Sequence, residues 1–395
     1  MADTDVTPTM LKVLHLRTSA AFWGPDRQIL QLIRPLRERG ITAGVLVLYR
    51  RPSKDLLLHP LVAQAREHGA IADQILDPAW WSPSAMAEVT RYLRSGEYDL
   101  LHTHEYKGNL IGGWSAWRMG IPSIASVRGY TDRTLPLRIY KWLDLGLTLR
   151  LFTRIVAVSE AVRRQVLRAS YPAGRVLTLH DAVDIATFSL DRLQLSAPKM
   201  RQELGCTADH LLVCAVGRLS PEKGYHFLLA AFQEVVTAVP KARLVLVGEG
   251  RLRSRLQAQA AKCGLSDRVI FAGYRDDVEA IIAASDLLVM PSLREGFGDP
   301  IIEAMALCKP VIASRVGGMV EIVRDGETGL LVPPGDPGAL AQAIINLLRD
   351  PQARERMGLQ GRQVALREFS VERLADGLAR LYNELISSPS GRGVR

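Results

Sequence analysis

The segment Gly217-Arg218-Leu219-Ser220-Pro221-Glu222-Lys223-Gly224 follows the apolar run Leu211–Val216. Glycines at its two ends let the backbone turn tightly and come close to a ligand. Arg218 and Lys223 set two cations at the carboxyl end of a strand, where a diphosphate could be neutralised. The competing account is a surface turn closed by a Glu222/Lys223 ion pair. A second segment, Glu295-Gly296-Phe297-Gly298-Asp299-Pro300, follows the run Asp286–Met290 and opens a helix. Asp299 reads as its N-cap and Pro300 as its first helical residue. The free N–H groups of such a mouth, with the helix dipole, attract an anion, and Gly296 and Gly298 leave room for it. Glu295 in the loop and Glu303 one turn inside the helix can flank that anion and accept hydrogen bonds from ligand hydroxyls. A first-turn acid is favourable in any helix. That explains Glu303 but neither Glu295 nor the glycines.

Positioning such loops is the task of the elements around them. Short β-branched runs alternate with helix-length amphipathic stretches, the pattern of parallel sheets covered by helices. In the first half, strands are expected at Lys12–Leu16, Thr42–Leu48, Leu100–His104, Ser123–Val127, Arg154–Val158 and Val176–Leu179. Helices are expected at Arg27–Arg39, Ser84–Arg94 and Ser159–Ala169. Polar residues with Pro198 mark Asp191–Gln202 as a linker. The pattern then restarts, with strands at Leu211–Val216, Arg243–Val247, Arg268–Phe271, Asp286–Met290, Val311–Ala313 and Gly329–Val332. Helices fall at Gly224–Val239, Arg251–Lys262, Pro300–Leu307, Pro337–Leu348 and Val371–Ile386. At 395 residues the chain exceeds what one core supports. The expectation is an α/β fold of two Rossmann-like, doubly wound domains, 1–195 and 196–395, facing across a cleft. The last helix, about 371–386, is a candidate to cross back to the first domain. Ligands of such sheets bind at the carboxyl ends of the strands.

Paired carboxylates also serve glycoside hydrolysis, but a loop–helix pair beside an anion cradle suits phosphate binding better. At this point the order of motifs becomes specific. It runs Val216-Gly217-Arg218-Leu219, Glu222-Lys223-Gly224, Val247-Gly248-Glu249-Gly250, Phe271-Ala272-Gly273-Tyr274 and the E-x7-E pair Glu295/Glu303. Lys309-Pro310-Val311-Ile312-Ala313, Val316-Gly317-Gly318, Glu321, Asp325-Gly326 and Thr328-Gly329 complete it. The chain resembles the retaining family-4 glycosyltransferases (glycosyl transferases group 1) of GT-B architecture. The resemblance is densest from Val216 to Asp336.

That resemblance implies transfer of a sugar from a nucleotide diphosphate donor, a UDP- or GDP-sugar, to a glycan or lipid-linked acceptor. It implies retention of anomeric configuration and cell-envelope polysaccharide or glycolipid synthesis. Arg218 and Lys223 would neutralise the diphosphate, Glu295 would touch the transferred sugar, and Glu303 would hold the ribose. Amides of Phe297 to Asp299 would bind the distal phosphate, and Gly273, Tyr274 and Arg275 would flank the base. Gly217, Gly248, Gly250, Gly296 and Gly298 complete the donor set. In the first half, Phe22-Trp23-Gly24-Pro25-Asp26-Arg27 sits where the family has a glycine-rich turn, with Gly24 the point of close approach. Leu101-His102-Thr103-His104 and Ala182-Val183-Asp184 with Phe188 are also family-like. One position departs: where many relatives place a histidine after the strand Ser123–Val127, this chain has Arg128. An arginine can stabilise charge on a departing phosphate but cannot accept a hydrogen bond as a neutral imidazole does. His104, at the end of another strand, could supply an imidazole instead.

The resemblance implies no essential metal or other cofactor, and the D-x-D motif Asp3-Thr4-Asp5 lies in a terminal tail. Cys206, Cys214, Cys263 and Cys308 lack metal or disulfide spacing. No signal peptide opens the chain and no apolar run is long enough to span a bilayer, so a cytoplasmic location is expected. Residues 1–195 hold 25 Lys/Arg against 18 Asp/Glu, most of the +9 net charge. That excess suits solubility or an anionic surface, and no nucleic-acid module accompanies it. The basic, leucine-rich stretch from Leu135 to Phe152, with Trp142, is either a helix packed on the first sheet or one resting on an anionic membrane. Other readings are a sugar-nucleotide epimerase of the same architecture and a non-catalytic nucleotide-sugar-binding protein. A dinucleotide oxidoreductase lacks its fingerprint, since no G-x-G-x-x-G follows the first strand.

Overall fold

The computed structural model describes residues 10–19, 22–49, 58–76, 82–130, 135–169, 171–188 and 190–387. The Asp3-Thr4-Asp5 motif lies outside them. The chain forms two units, Met1–Asp181 with Val371–Arg395, and Ala182–Ser370.

Among the described residues the first unit holds seven parallel strands: β1 (Leu11–Ser19), β2 (Ile41–Tyr49), β3 (Ile71–Leu76), β4 (Leu100–Thr103), β5 (Ser123–Val127), β6 (Arg154–Ala157) and β7 (Val176–Thr178). Their order is β3-β2-β1-β4-β5-β6-β7. The second unit holds six: β8 (Leu211–Val216), β9 (Ala242–Val247), β10 (Val269–Gly273), β11 (Leu287–Met290), β12 (Val311–Ser314) and β13 (Gly329–Val332). Their order is β10-β9-β8-β11-β12-β13. All pairings are parallel, as expected of runs buried on both faces; Leu212 to Ala215 and Val45 to Leu48 are fully enclosed. Each sheet reverses its winding direction once, between β1 and β4 and between β8 and β11. Such switch points open a crevice at the strands' carboxyl ends.

Three expectations need correction. The proposed linker Asp191–Gln202 is instead part of a helix, Leu190–Glu203, with Pro198 inside it. Its apolar Leu193 and Met200 are buried, and Arg201 ties it to Asp286 at 2.8 Å and to the Ala284 carbonyl at 2.8 Å. Packing thus overrides the local polarity. The boundary expected after residue 195 falls inside that helix, and the chain changes unit after Asp181. Finally, β3 was absent from the expected strands. It is an edge strand whose Asp73 and Gln74 break the apolar run. The last helix, Val371–Ser387, belongs to the first unit, where Tyr382 Oη meets His102 Nδ1 at 2.6 Å and Asp376 meets Arg39 at 2.7 Å.

Candidate functional site

In the second unit the two loops singled out from sequence leave β8 and β11, the pair of strands at the switch point. Gly217 turns the chain out of β8 with φ +146°, a conformation that L side chains resist. The turn Pro221–Lys223 ends at Gly224, φ +68°, before the helix Tyr225–Ala238. A Cβ on Gly224 would stand 2.0 Å from the Pro291 carbonyl oxygen. That glycine therefore lets the β8 loop press onto the β11 loop. The result is a direct contact: Lys223 Nζ donates to Glu295 Oε2 at 2.6 Å, with both side chains about five-sixths buried. Ser292 Oγ donates to the same oxygen at 3.2 Å.

The alternative Glu222/Lys223 pair does not form. Glu222 instead accepts from Ser220 Oγ at 2.8 Å and faces Arg218 at 3.6 Å. Arg218 remains more than half exposed. Both cations therefore carry carboxylate partners in this structure.

The helix after Glu295 runs Asp299–Ala306, and its N-cap is Gly298 (φ +122°) rather than Asp299. Asp299 occupies the first turn with Pro300, because only glycine suits that capping conformation. Glu303 is buried on this helix. Phe297 points its ring into the core against Phe369, which leaves only its backbone for a ligand. The loop rests on a glycine platform. A Cβ on Gly317 would meet the Glu295 carbonyl at 1.8 Å, and one on Gly318 the Gly296 carbonyl at 2.6 Å.

Gly248 and Gly250 do comparable work, since their Cβ positions fall 2.2 Å from the Gly217 oxygen and 2.3 Å from the Leu219 oxygen. They hold the β8 loop by backbone packing. Gly273 (φ +73°) ends β10 beside Glu249. Tyr274 is half exposed rather than packed. Arg275 is clamped by Asp277 through two hydrogen bonds of 2.7 and 2.6 Å. The guanidinium expected near a base is thus engaged.

In the first unit, Gly24 opens the exposed start of the helix Gly24–Glu38. Asp26 is fully buried, accepting from Arg17 Nε (3.2 Å), Ser19 Oγ (3.3 Å) and the Trp23 amide (2.8 Å). It anchors that turn instead of facing solvent. Arg128 follows β5 as expected, but its guanidinium is bonded to Asp181. Burial pushes the Asp181 carboxyl up while Arg128 pulls it down. The guanidinium is thus engaged rather than the free cation that the sequence suggested.

His104 is buried, its Nε2 2.9 Å from His15 Nδ1, and β1–β4 register sets His15 opposite His102. Desolvation, then His102, His15 and the Arg128 and Arg17 charges hold the His104 imidazole well below its ordinary value. It is neutral, and it lacks the open position expected of it at a strand end. Among the described residues, His15, His102 and His104 bring nitrogens within 4.8 Å of one another, close enough to consider a metal. Both ring nitrogens of His102 are engaged, by Tyr382 (2.6 Å) and Ser126 (2.8 Å), and two guanidiniums stand nearby. Those features disfavour a dication.

The sequence reading missed Ser292, Asp181, His15 and the role of Gly317-Gly318. The paired glycines after β12 carried a signal; the others are single common residues whose significance arises only from their neighbours.

Comparison with known proteins adds to this geometry. The family model "Glycosyl transferases group 1" matches residues 196–364, and "Glycosyltransferase Family 4" matches 24–187. A phosphatidyl-myo-inositol mannosyltransferase of Mycobacterium leprae is 31% identical over 93% of this chain and 94% of its own. A D-inositol 3-phosphate glycosyltransferase of Corynebacterium efficiens is 29% identical over 94% and 92%. Among solved structures, Anabaena HepE in complex with UDP-glucose superposes with a TM-score of 0.80 at 25% identity, covering 95% of this chain and all of that one.

Proposed function

From the premise that the chain belongs to the family-4, group 1 glycosyltransferases of GT-B fold, we propose a retaining hexosyltransferase with a UDP- or GDP-sugar donor held by the second unit. The observation that carries this reading is the Lys223–Glu295 contact, which joins the loops of β8 and β11 at the switch point. Diphosphate oxygens would draw the Lys223 ammonium off Glu295, and Arg218 would add the second charge. Amides from Phe297 to Asp299 would take the distal phosphate at the helix mouth. Glu295, released from Lys223, would accept hydrogen bonds from the transferred sugar, and Glu303 from the ribose. Cleavage of the anomeric C–O bond leaves negative charge on the diphosphate, which these cations and amides stabilise. No essential metal enters this scheme.

The mannosyltransferase relative, whose name includes a phosphatidyl-inositol, supports a lipid-linked acceptor in envelope synthesis. So does the helix Leu135–Gly146. Its Leu135, Ile139 and Trp142 are exposed at one-turn spacing, and Arg138, Lys141 and Trp142 border a surface cavity of about 440 Å³. An apolar stripe beside cations suits peripheral contact with an anionic membrane. No described helix is long and apolar enough to cross one.

A thermal-shift screen of nucleotide sugars followed by transfer assays tests the function. Lys223→Ala should abolish the shift given by the cognate donor and lower transfer by at least ten-fold. An unchanged donor affinity in that variant would overturn this assignment.

A further inference from the structure

Tyr225 opens the helix Tyr225–Ala238, and its ring belongs to the hydrophobic core of the second unit. Its hydroxyl is enclosed and has no hydrogen-bond partner among the described residues. Leaving a buried hydroxyl unmade costs about 1–3 kcal/mol, so phenylalanine would be the more stable occupant of that niche. An oxygen retained at such a cost calls for an explanation. Its surroundings supply one. A point one Cβ length above Gly217 is 2.9 Å from Tyr225 Oη, 3.4 Å from Lys223 Cε and 3.6 Å from Lys223 Nζ. The hydroxyl, the lysine stem and its ammonium therefore all border the space above Gly217, and the same ammonium holds Glu295. The Glu295 charge reaches it, since after burial it is the next cause raising the phenol's pKa.

We propose that Tyr225 is a positioning residue whose hydroxyl takes over the Glu295 carboxylate when a nucleoside diphosphate draws Lys223 away. The inference rests on the donor-site reading above. In this structure Lys223 borders the same space as the phenol and satisfies Glu295. Movement of the ammonium to phosphate vacates space bordered by Tyr225 Oη and strips Glu295 of its cation at once. A donor O–H then keeps the carboxylate oriented toward the sugar and screens it from the phosphates. A hydrogen bond made only in the bound state contributes to affinity without stabilising the free protein. Gly217 is required as well, because any side chain there would fill the niche.

The test is Tyr225→Phe in the full chain, with UDP and GDP as probes and sugar transfer as a second readout. The free variant should melt at or above the wild-type temperature. Its dissociation constant for the cognate nucleoside diphosphate should rise about ten-fold, the usual scale for a hydrogen bond to a charged group. In a Glu295→Ala background the same substitution should have no further effect on affinity. An unchanged dissociation constant in Tyr225→Phe, or a ten-fold loss that persists without Glu295, overturns the proposal. Lys223→Ala separates the two levels of argument. If it weakens UDP or GDP while Tyr225→Phe does not, the donor site stands and only the tyrosine's role falls.

Discussion

Replacing Glu295 by glutamine should have opposite effects on two steps. In this structure the Lys223 ammonium is held at 2.6 Å by this carboxylate, and the side chains are 17% and 16% exposed. A diphosphate that draws the ammonium toward itself gives up that contact. A pair this sheltered lies at the upper end of the surface range, about 1 kcal/mol. Glutamine keeps the shape and an acceptor oxygen but lowers that barrier, and it removes a negative charge facing the phosphates. The cognate nucleoside diphosphate should therefore bind about five-fold more tightly to Glu295→Gln. Transfer should move the other way. A sugar hydroxyl donating to a carboxylate gains roughly 1.5–3 kcal/mol, more than it gains from an amide. The loss of kcat/KM with the nucleotide sugar should be on the order of ten-fold or greater. Calorimetric titration with UDP and GDP measures the first effect, and initial rates measure the second. If Glu295→Gln weakens the diphosphate as Lys223→Ala does, the carboxylate is not competing with phosphate and the reasoning fails.

Other outcomes can be checked independently. Burial pushes the Asp144 carboxyl up to about 7, against hydrogen bonds from Asn109 (3.0 Å) and Tyr130 (2.8 Å). Because the folded state holds this proton longer than the unfolded one, its stabilisation is present at acid pH and is lost as pH rises toward 7. Asp144→Asn should therefore gain on the order of 3 kcal/mol relative to wild type between about pH 5 and pH 8, read by denaturant melts at each pH. No gain would show that the carboxyl ionises freely in the fold. Gly224→Ala should destabilise the second unit by more than about 1 kcal/mol and weaken nucleotide binding, since the added Cβ collides with the Pro291 carbonyl at a positive φ. Wild-type melting and affinity in that variant would refute the loop-packing argument. Trp142→Ser should reduce flotation with anionic vesicles at low salt, whereas equal binding by both proteins would remove the helix Leu135–Gly146 from any membrane contact. Transfer should survive excess EDTA; loss restored by a divalent ion would require a metal in the mechanism.

The sequence by itself determined the alternation of strands and helices, because period and β-branching act over a few residues. It also determined the two donor-loop motifs, since glycines and charges at fixed spacing after a strand leave few other uses. Twelve strands expected from those patterns are found, with ends shifted by at most a few residues, and among the described residues only the polar edge strand β3 escaped. What tertiary structure decided was which charge meets which. Lys223 and Glu295 lie far apart in the chain and join only because β8 and β11 are neighbours and Gly224 admits Pro291. Arg128 looked like a free cation until Asp181 closed on it, and His104 like an open imidazole until His15 and His102 enclosed it. The proposed linker became a helix for a similar reason: Leu193 and Met200 had a surface to cover. Local pattern fixes an element's type, whereas the protonation and availability of a side chain depend on neighbours brought in by the fold.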